Sequence, residues 1–543
     1  MSVSAHFSRR QASVRMIETV NPATGEPFAL YPIVSAEGVQ EMVREARRVL
    51  PAWRNASFAV RQIILNRTAE ALMANADVLA RKISEETGKP LREAYETDLL
   101  AALATLRYMA RNGPKTLRDQ WLWNWKTLLL ARTHRVRRLP KGVVALITPW
   151  NYPLAIAVSG MAMALMAGNT VIVKPSERAP GVVLDLVRMV QHELARRGLP
   201  ETIVQIATGN GSTGQTLCET MSQPDGVDHV LFTGSNRVGR QVLALAQLAG
   251  KTASLELGGS DAMIVLDGVE DLDTVASYAI WGRFANAGQS CAAVKRLLVH
   301  RALYARMLHV LTEKMARFHV GDPLAATTHM GPLIAETQCQ QLSLQVEDAT
   351  ERGAQLITGG FRLNRPGFFY APTILADVPL ESRVLREEVF GPVLPVVPFD
   401  TEEEAIALAN QTAYGLTACV FGPRVQASRI ARRLQAGTVA VNDVPLANYG
   451  WPMVPWGGWK ESGPGWRHGT IGLEELTQIQ VVTEHWGLAV PCLKRPPWLF
   501  GTHPSDVNFS HYLLQTFGLG KWFTQQTPAF LKALWKNRSS SRL

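Results

Sequence analysis

One cysteine of this chain lies in a setting that would suit a nucleophile. Cys291 follows Gly288-Gln289-Ser290 and precedes Ala292, and these mostly small neighbours leave room for a substrate to approach the thiol. A nucleophilic cysteine reacts as the thiolate and has to be partly exposed. Taken alone, a cysteine among small residues also fits a thiol packed in a hydrophobic core. The choice between these interpretations depends on the other polar residues of the chain.

A carboxylate upstream of this cysteine has the properties of a general base. Glu256 lies between Leu255 and Leu257, at the end of an apolar run and before two glycines. Partial burial there would remove water from the carboxylate and raise its pKa, which suits it to accept a proton. The alternative is a structural glutamate held in an ion pair.

An asparagine follows a run with the pattern of a buried strand. Asn151 lies in Pro149-Trp150-Asn151-Tyr152-Pro153, directly after the uncharged run Val143–Thr148. Open α/β sheets bind their ligands at the carboxyl ends of the strands. An amide at this position could donate to an oxyanion that develops during a reaction. The alternative is a turn asparagine.

Two further segments could hold a dinucleotide. Lys174 and Glu177 follow the next predicted strand, and their side chains could bind ribose hydroxyls. Gly234, Ser235 and Gly239 open a predicted helix, whose first N–H groups could face a phosphate. The spacing does not match the G-x-G-x-x-G fingerprint, so this segment alone is a weak indication.

Strands and helices alternate along most of the chain, which predicts an α/β fold with open parallel sheets of dinucleotide-binding type. The predicted strands are Val143–Thr148, Thr170–Val173, Ile203–Ile206, Val227–Phe232, Ala253–Leu257, Ala262–Leu266, Arg296–Val299 and Val393–Val397. The predicted helices cover 36–111 with a break at 88–90, the stretch from 179 to 197, the segment that ends at 248, Leu154–Ala167, Tyr304–Phe318 and Glu402–Asn410. Residues 20–26 are expected to form a turn between extended segments.

The uncharged stretch between Lys141 and Lys174 could be mistaken for a membrane span. Pro149, Asn151 and Pro153 break any helix in its first half, and a break exposed to lipid would leave backbone groups unpaired. A buried βαβ unit explains the stretch better, because parallel strands covered on both faces carry few charges.

Composition narrows the class of protein. The chain has 543 residues, enough for more than one core, and only five widely spaced cysteines, with no C-x-x-C pair. This pattern argues against a disulfide framework and a metal site and favours a reducing compartment, the cytoplasm. The net charge of +10 is not arranged as a nucleic-acid-binding stripe along the body.

The two ends differ from the rest of the chain. Residues 1–15 carry arginines and serines without an acid, which fits a disordered tail or a short targeting segment. Residues 487–543 are basic and rich in tryptophan and phenylalanine, with Asp506 as the lone acid. This extension could lie on a membrane surface or pack against the body or a partner subunit, but it is too interrupted to span a bilayer.

Together the motifs resemble the aldehyde dehydrogenase superfamily over roughly residues 20–476. The resemblance rests on seven segments: Pro149-Trp150-Asn151-Tyr152-Pro153, Lys174-Pro175-Ser176-Glu177, Phe232-Thr233-Gly234-Ser235, Leu255-Glu256-Leu257-Gly258-Gly259, Gly288-Gln289-Ser290-Cys291, Glu387-Glu388-Val389-Phe390-Gly391-Pro392 and Pro455-Trp456-Gly457-Gly458-Trp459-Lys460-Glu461-Ser462-Gly463.

The resemblance implies a mechanism. Cys291 would attack the aldehyde carbon, the Asn151 amide and the Cys291 backbone N–H would hold the oxyanion, and Glu256 would activate the water that releases the acid. A covalent thioester splits one difficult step into two easier ones. The presence of Glu256 favours hydrolysis to the free acid over transfer of the acyl group to coenzyme A.

The resemblance also implies a cofactor site for NAD, with NADP as the other candidate. Glu177 would repel a 2′-phosphate, which favours NAD. Residues implied to bind the cofactor are Trp150, Lys174, Glu177, Thr233, Gly234, Ser235, Gly239, Glu388 and Phe390. No metal ligand is implied.

The family fold implies two Rossmann-like open-sheet domains, for cofactor and catalysis, with a small β arm for assembly as a homodimer or tetramer. The expected divisions are a tail at 1–19, an NAD-binding domain at 20–122 and 142–257, an arm at 123–141 and 476–486, a catalytic domain at 258–456, a return segment at 457–475 and the extension at 487–543.

The segment from Asp443 to Trp456 is expected near the substrate entrance. Its side chains are mainly apolar or aromatic, which favours a lipophilic or aromatic aldehyde over an acid semialdehyde; they are Val444, Leu446, Tyr449, Trp451 and Met453. Three alternatives stay open: a semialdehyde dehydrogenase, a catalytically silent binding protein, and an esterase that uses the same thiol without cofactor.

Overall fold

A computed structural model describes residues 15–122 and 132–485. The predictions for residues 1–14, for 123–131 of the arm and for the basic aromatic extension lie outside the described residues. The described chain divides into two compact units, one formed by 15–117 and 139–478 and the other by 118–122, 132–138 and 479–485. Both predicted open sheets belong to the first unit.

The first open sheet has five parallel strands whose inward-facing residues are buried. In spatial order they are Val204–Ile206, Thr170–Lys174, Val143–Ile147, His229–Thr233 and Thr252–Glu256. The chain builds outward from Val143–Ile147 to one side and then to the other, so the strand order reverses beside this strand. Doubly wound sheets bind ligands at such a reversal, at the carboxyl ends of the strands.

The helix after the first strand explains the uncharged stretch. Pro153–Ala167 has proline in its first turn and ends at Gly168, whose φ of 94° is readily adopted only by glycine. All fifteen of its residues are buried between other elements of the same unit. The βαβ prediction is therefore confirmed. Among residues 15–122 and 132–485, no helix is long and apolar enough to cross a membrane.

The second open sheet has seven strands. In spatial order they are Gln355–Thr358, Thr373–Ala376, Val393–Phe399, Val294–His300, Asp261–Val265, Thr417–Phe421 and Thr438–Val441, and all are parallel except the first. Three of these strands correspond to those predicted at Ala262–Leu266, Arg296–Val299 and Val393–Val397. Of the other four, three are only four residues long, and a run this short is a weak signal for a strand.

The two sheets meet at opposite ends of their strands. Glu256 ends the last strand of the five-stranded sheet, and Asp261 begins the first strand of the seven-stranded sheet. Cys291 lies three residues before the strand Val294–His300. The carboxyl edge of one sheet therefore faces the amino edge of the other, and this junction collects the polar residues singled out by the sequence.

Helices cover both faces of the sheets. Ser35 and Ser57 cap the first two helices through their hydroxyl groups, and Gly88 ends the third with a φ of 76°. The helices are Ala36–Asn55, Phe58–Ala74, Ala76–Thr87, Leu91–Glu93, Leu100–Leu117, Pro153–Ala167, Gly181–Ala195, Gly211–Glu219, Asn236–Leu248, Leu272–Phe284, Arg301–Met315, Glu336–Glu351, Arg383–Arg386, Glu402–Asn410, Arg424–Ala431, Pro445–Tyr449 and Gly469–Glu474, with a π-helical stretch at Ala94–Leu99 and 3₁₀ turns at Glu201–Ile203, Thr220–Ser222 and Ala285–Gly288.

Small antiparallel sheets complete the fold. Met16–Val20 pairs with Pro27–Pro32 around the turn predicted at residues 20–26. The arm has a three-stranded sheet, most of which belongs to the second unit, and its strands are Gln120–Leu122, Arg132–Pro140 and Thr477–His485. Gln120–Leu122 pairs with residues 134–136, so the arm begins before the boundary that we placed after residue 122. Two short pairs, Tyr414–Gly415 with Trp459–Lys460 and Trp456–Gly457 with Trp466–Arg467, fold the return segment back.

Candidate active site

A tight turn presents the candidate nucleophile. After the helix Leu272–Phe284, the backbone of Asn286, Ala287 and Gly288 is left-handed, with φ of 51°, 52° and 71°. A left-handed conformation costs about 1–3 kcal/mol for a residue with a side chain, so other contacts have to hold the turn. The Gln289 side chain provides two of them, because its Oε1 accepts from the N–H of Ile334 (2.9 Å) and its Nε2 donates to the Asn286 carbonyl (3.1 Å).

A buried arginine ties this turn to the loop of Glu388 and Phe390. The Arg283 guanidinium donates to the carbonyls of Gly288 (3.4 Å), Val389 (3.0 Å) and Gly391. A Cβ on Gly288 would lie 2.4 Å from the Gly391 carbonyl oxygen and 2.7 Å from Arg283 Nη2. The close approach of the two loops therefore requires glycine at 288. Sequence reasoning missed Arg283, because an arginine in the last turn of a helix is usually a surface residue.

Cys291 is a free thiol that is partly exposed. Desolvation raises the pKa of this thiol to about 12, the Lys295 ammonium opposes the rise, and the charges of Glu256, Glu388 and Asp261 add to it. Lys295 Nζ also donates to the Cys291 carbonyl (2.7 Å). The thiol is therefore mostly protonated at neutral pH in this state, and a nearby positive charge would favour the thiolate.

Glu256 is buried at the junction of the two sheets. Its Oε2 accepts from the Thr233 hydroxyl (3.4 Å), and Thr233 is its cross-strand neighbour. Its Oε1 has no hydrogen-bond partner and lies 3.5 Å from Arg467 Nε. Desolvation raises the pKa of Glu256 to about 7, although the Arg467 charge and the Thr233 hydrogen bond lower it. A carboxylate with this pKa and a free oxygen can accept a proton near neutral pH.

The Asn151 side chain reaches the same turn. Its Nδ2 donates to the Gln289 carbonyl (3.1 Å), two residues before the cysteine. Its Oδ1 is buried without a partner, and its backbone carbonyl accepts from Asn286 Nδ2 (2.9 Å). An amide nitrogen has two N–H groups, so Asn151 keeps a second donor for a ligand. The structure therefore brings Asn151, Glu256 and Cys291 together.

The segment after the strand His229–Thr233 forms a helix N-terminus that suits an anion. Ser235 is the N-cap of Asn236–Leu248, and its side chain makes no capping bond to the first turn. A Cβ on Gly234 would lie 2.6 Å from the Phe232 ring, and one on Gly239 would lie 2.4 Å from the Leu257 side chain. Glycine at these two positions lets the helix start close to the strand, with its first N–H groups pointing outward.

Lys174 and Glu177 lie together beyond the strand Thr170–Lys174. Lys174 Nζ is 3.6 Å from Glu177 Oε2, and the lysine is buried while the glutamate is about half exposed. Desolvation lowers the pKa of Lys174, and the nearby Glu177 opposes this shift. The pair can offer one donor and one acceptor to a polar ligand.

Glu388 and Phe390 lie on the loop held by Arg283. Glu388 Oε1 accepts from the Gly259 N–H (3.1 Å) and lies 3.8 Å from Lys295 Nζ. Desolvation raises the pKa of Glu388. The Phe390 ring contacts Trp150 edge to face, with 5.6 Å between centroids. These contacts bring the third group of predicted cofactor residues to the same junction.

The side chains of the segment expected near the substrate entrance lie in three different environments. Val444 lies in the core of the seven-stranded sheet and contributes nothing to an entrance, which corrects our expectation. Leu446 packs with Tyr152, Ile156 and Ala285 next to the cysteine turn, in a small apolar cluster that we call the inner apolar cluster.

Tyr449 packs against the same cluster, and its hydroxyl is buried without a partner. Its ring contacts His468 and Trp456, with centroids 4.9 and 5.2 Å away. Trp451 and Met453 are 60% and 63% exposed. The segment therefore provides a buried aromatic wall inside and two exposed apolar side chains outside.

The fold and this site define an oxidoreductase of the type that pairs a thiol nucleophile with a dinucleotide-binding sheet. The family model described as "Aldehyde dehydrogenase family" matches residues 8–482. The chain belongs to the aldehyde dehydrogenase family.

Three relatives illustrate the range of the family. The chain is similar to a succinate-semialdehyde dehydrogenase [NADP(+)] of Deinococcus radiodurans, with 36% identity over 90% of this chain and 98% of the relative. It is also similar to a 4,4'-diapolycopene aldehyde oxidase of Methylomonas sp, with 36% identity over 92% and 91% of the two chains. Among solved structures, an NAD-dependent aldehyde dehydrogenase from Sinorhizobium meliloti has a TM-score of 0.83 and 35% identity over 90% of this chain and 94% of that chain.

Proposed function

We propose that this protein oxidises an aldehyde to its carboxylic acid with NAD, through a thioester on Cys291. The observation that supports this most directly is the buried Glu256 carboxylate, which has an oxygen without a hydrogen-bond partner and a pKa of about 7. It lies close enough to Cys291 for its charge to raise the pKa of the thiol. A general base and a nucleophile at this spacing suit two successive steps on one substrate carbon.

The residues of the chain divide the chemistry between them. The Cys291 thiolate adds to the aldehyde carbon, and the carbonyl oxygen becomes an alkoxide that accepts from Asn151 Nδ2 and the Cys291 N–H. Loss of hydride from that carbon leaves a thioester. Glu256 then takes a proton from water while the water oxygen adds to the thioester carbon. The C–S bond breaks, the thiolate leaves, and the acid is released.

The residues present fit a dinucleotide. The first turn of Asn236–Leu248 is open to a phosphate, Lys174 with Glu177 can bind ribose hydroxyls, and Glu388 with Phe390 and Trp150 lies near the thiol side of the junction. When bound, the oxidised nicotinamide would supply a positive charge and accept a hydride. The Thr233 hydroxyl donates to Glu256, and Gly239 allows close packing against Leu257. Both contacts hold the carboxyl edge of the five-stranded sheet in place.

The choice between NAD and NADP should depend on Glu177. Its exposed carboxylate would repel a 2′-phosphate, so replacing it with serine should raise kcat/KM for NADP about tenfold, which corresponds to about 1.4 kcal/mol. Steady-state kinetics with both cofactors measure this, and Glu351→Ser on a distant exposed helix end is the control. A wild-type enzyme that already prefers NADP would contradict the assignment.

The relatives are named for an acid semialdehyde and for a diapolycopene aldehyde, so family membership leaves the substrate open. We propose a lipophilic or aromatic aldehyde, because the inner apolar cluster and the Tyr449 ring lie next to the cysteine turn. Each methylene that the enzyme buries contributes about 0.8 kcal/mol.

We therefore expect kcat/KM to rise from acetaldehyde to octanal, and octanal to exceed succinic semialdehyde by at least about tenfold. NADH formation measured over an aldehyde series tests this, with acetaldehyde as the reference that barely reaches the cluster. Faster turnover of succinic semialdehyde than of octanal would favour the semialdehyde dehydrogenase instead.

Assembly and location are further parts of the proposal. The arm sheet carries exposed apolar side chains that suit burial in a homodimer or tetramer; they are Trp121, Leu122, Ile479 and Val481. Light scattering would measure the oligomeric state.

We propose that the enzyme is cytoplasmic. Cell fractionation would show whether its extension holds it on a membrane.

A further inference from the structure

An arginine from the return segment lies against the candidate general base. Arg467 Nε is 3.5 Å from Glu256 Oε1, and the two side chains are only 3% and 6% exposed. Arg467 Nη2 also donates, at 3.4 and 3.5 Å, to the Phe232 carbonyl and the Thr233 hydroxyl. Burying two opposite charges this deeply is costly unless each compensates the other, so the pair acts as one electrostatic unit.

Several backbone contacts hold the return segment, and with it Arg467, next to the strand of Glu256. The N–H groups of Leu255 and Leu257 donate to the carbonyls of Pro464 (2.6 Å) and Ser462 (2.9 Å), so the return segment runs along the strand of Glu256. A Cβ on Gly463 would lie 2.6 Å from the Leu255 carbonyl oxygen, at a φ of 103°. The strand Trp466–Arg467 then pairs with Trp456–Gly457.

The contact is not a saturated salt bridge. Glu256 Oε1 and Arg467 Nη1 are both buried and have no hydrogen-bond partner. A structural ion pair would normally make hydrogen bonds through both of these atoms, because leaving a buried polar atom without a partner is costly. Glu256 Oε1 is therefore available to accept a proton, as a general base requires.

We propose that Arg467 is a positioning residue for Glu256, holding its carboxylate ionised and oriented for hydrolysis of the thioester. This inference rests on the proposed function, in which Glu256 is the base. The other charged or titratable groups that interact with Glu256 are Glu475, which opposes its ionisation, the Cys291 thiol and the Tyr449 hydroxyl. Arg467 is the cation that offsets them.

The test compares Arg467→Met and Arg467→Lys with the wild type, using octanal and NAD over a range of pH. For Arg467→Met we expect kcat at pH 7 to fall about tenfold and the midpoint of its rise with pH to move up by about one unit or more. At high pH the rate should recover to within about threefold of the wild type, and Arg467→Lys should lie between the two. Arg429→Met, in an exposed pair with Glu402, is the matched control.

A second readout separates a positioning role from simple damage to the fold. Hydrolysis of p-nitrophenyl acetate without cofactor reports acylation of Cys291 as a rapid burst and deacylation as the steady rate. Arg467→Met should keep the burst and slow only the steady rate, with a thermal transition showing a folded protein. An unchanged pH midpoint for Arg467→Met would overturn the inference.

Failure of the proposed function has a different signature. If Glu256→Gln deacylates as fast as the wild type, the base is wrongly assigned and the Arg467 inference falls with it. If Glu256→Gln is slow but Arg467→Met follows the wild-type pH profile, the assignment of Glu256 stands and Arg467 has only a structural role.

Discussion

The Cys291→Ala enzyme should form no NADH with any aldehyde, a loss of at least about 10⁴-fold in kcat/KM. The alanine keeps the small volume after the left-handed turn and removes the thiol, so the covalent intermediate cannot form. Because Arg283 and Gln289 hold the turn through other atoms, the variant should fold and bind NAD like the wild type. NADH absorbance, NAD titration and a thermal melt measure the three properties.

Cys218→Ala is the matched control for this experiment. Cys218 is another free thiol whose pKa is raised by desolvation, but it is buried in the helix Gly211–Glu219 and belongs to the core of the five-stranded sheet. The activity of the Cys218→Ala enzyme should stay close to that of the wild type. Residual aldehyde-dependent NADH formation by Cys291→Ala would contradict the thioester mechanism.

The wild type distinguishes the remaining alternatives in the same assay. If it binds NAD but is silent with every aldehyde, the silent binding protein becomes the better interpretation. If it hydrolyses p-nitrophenyl esters yet never reduces NAD, the cofactor-free esterase does. Aldehyde-dependent NADH formation excludes both.

The second large effect is expected for Glu256→Gln. If Glu256 only activates water, this variant should still form the thioester and release one equivalent of NADH per site in a burst. Turnover should then fall about 10²–10⁴-fold, because no base accepts the proton of the attacking water. Rapid-mixing absorbance measures the burst and the steady rate separately.

The pH dependence of the wild type follows from the same residue. Glu256 works as a carboxylate, and its pKa is raised to about 7, mainly by desolvation. Where deacylation limits turnover, kcat should therefore rise about tenfold per pH unit below 7 and level off above it. A flat profile between pH 5.5 and about 8 would contradict this assignment.

Glu93→Gln is the matched control for the base. Glu93 is a second buried carboxylate whose pKa desolvation raises to about 7, and its Oε2 accepts from the Asn286 N–H (2.7 Å) in the cysteine turn. A glutamine at 93 can still accept that hydrogen bond, so turnover should change little. Slow deacylation in Glu93→Gln with a normal rate in Glu256→Gln would exchange the roles of the two residues.

Much of the fold could be predicted because its signals are local. The strand Val143–Ile147 is apolar along its whole length, Thr170–Lys174 is apolar at its three central residues, and proline and glycine mark the ends of the helix between them. The strand Thr417–Phe421 was missed although it is fully buried. Gly415 and Gly422 bound it, but a short apolar run can be either a strand or a buried helix segment, and its neighbours on both sides in the sheet decide which it is.

Short motifs were enough to predict the family and the residue types that meet at the junction, because each motif consists of neighbours in the chain. The pKa values and orientations of those residues depend instead on segments that are far apart in the chain. Arg467 lies 211 positions after Glu256 (467 − 256), and Arg283 bonds carbonyls of Val389 and Gly391 more than a hundred positions away. Desolvation and charge act through space, so the pKa of Glu256 is fixed only when distant segments pack around it.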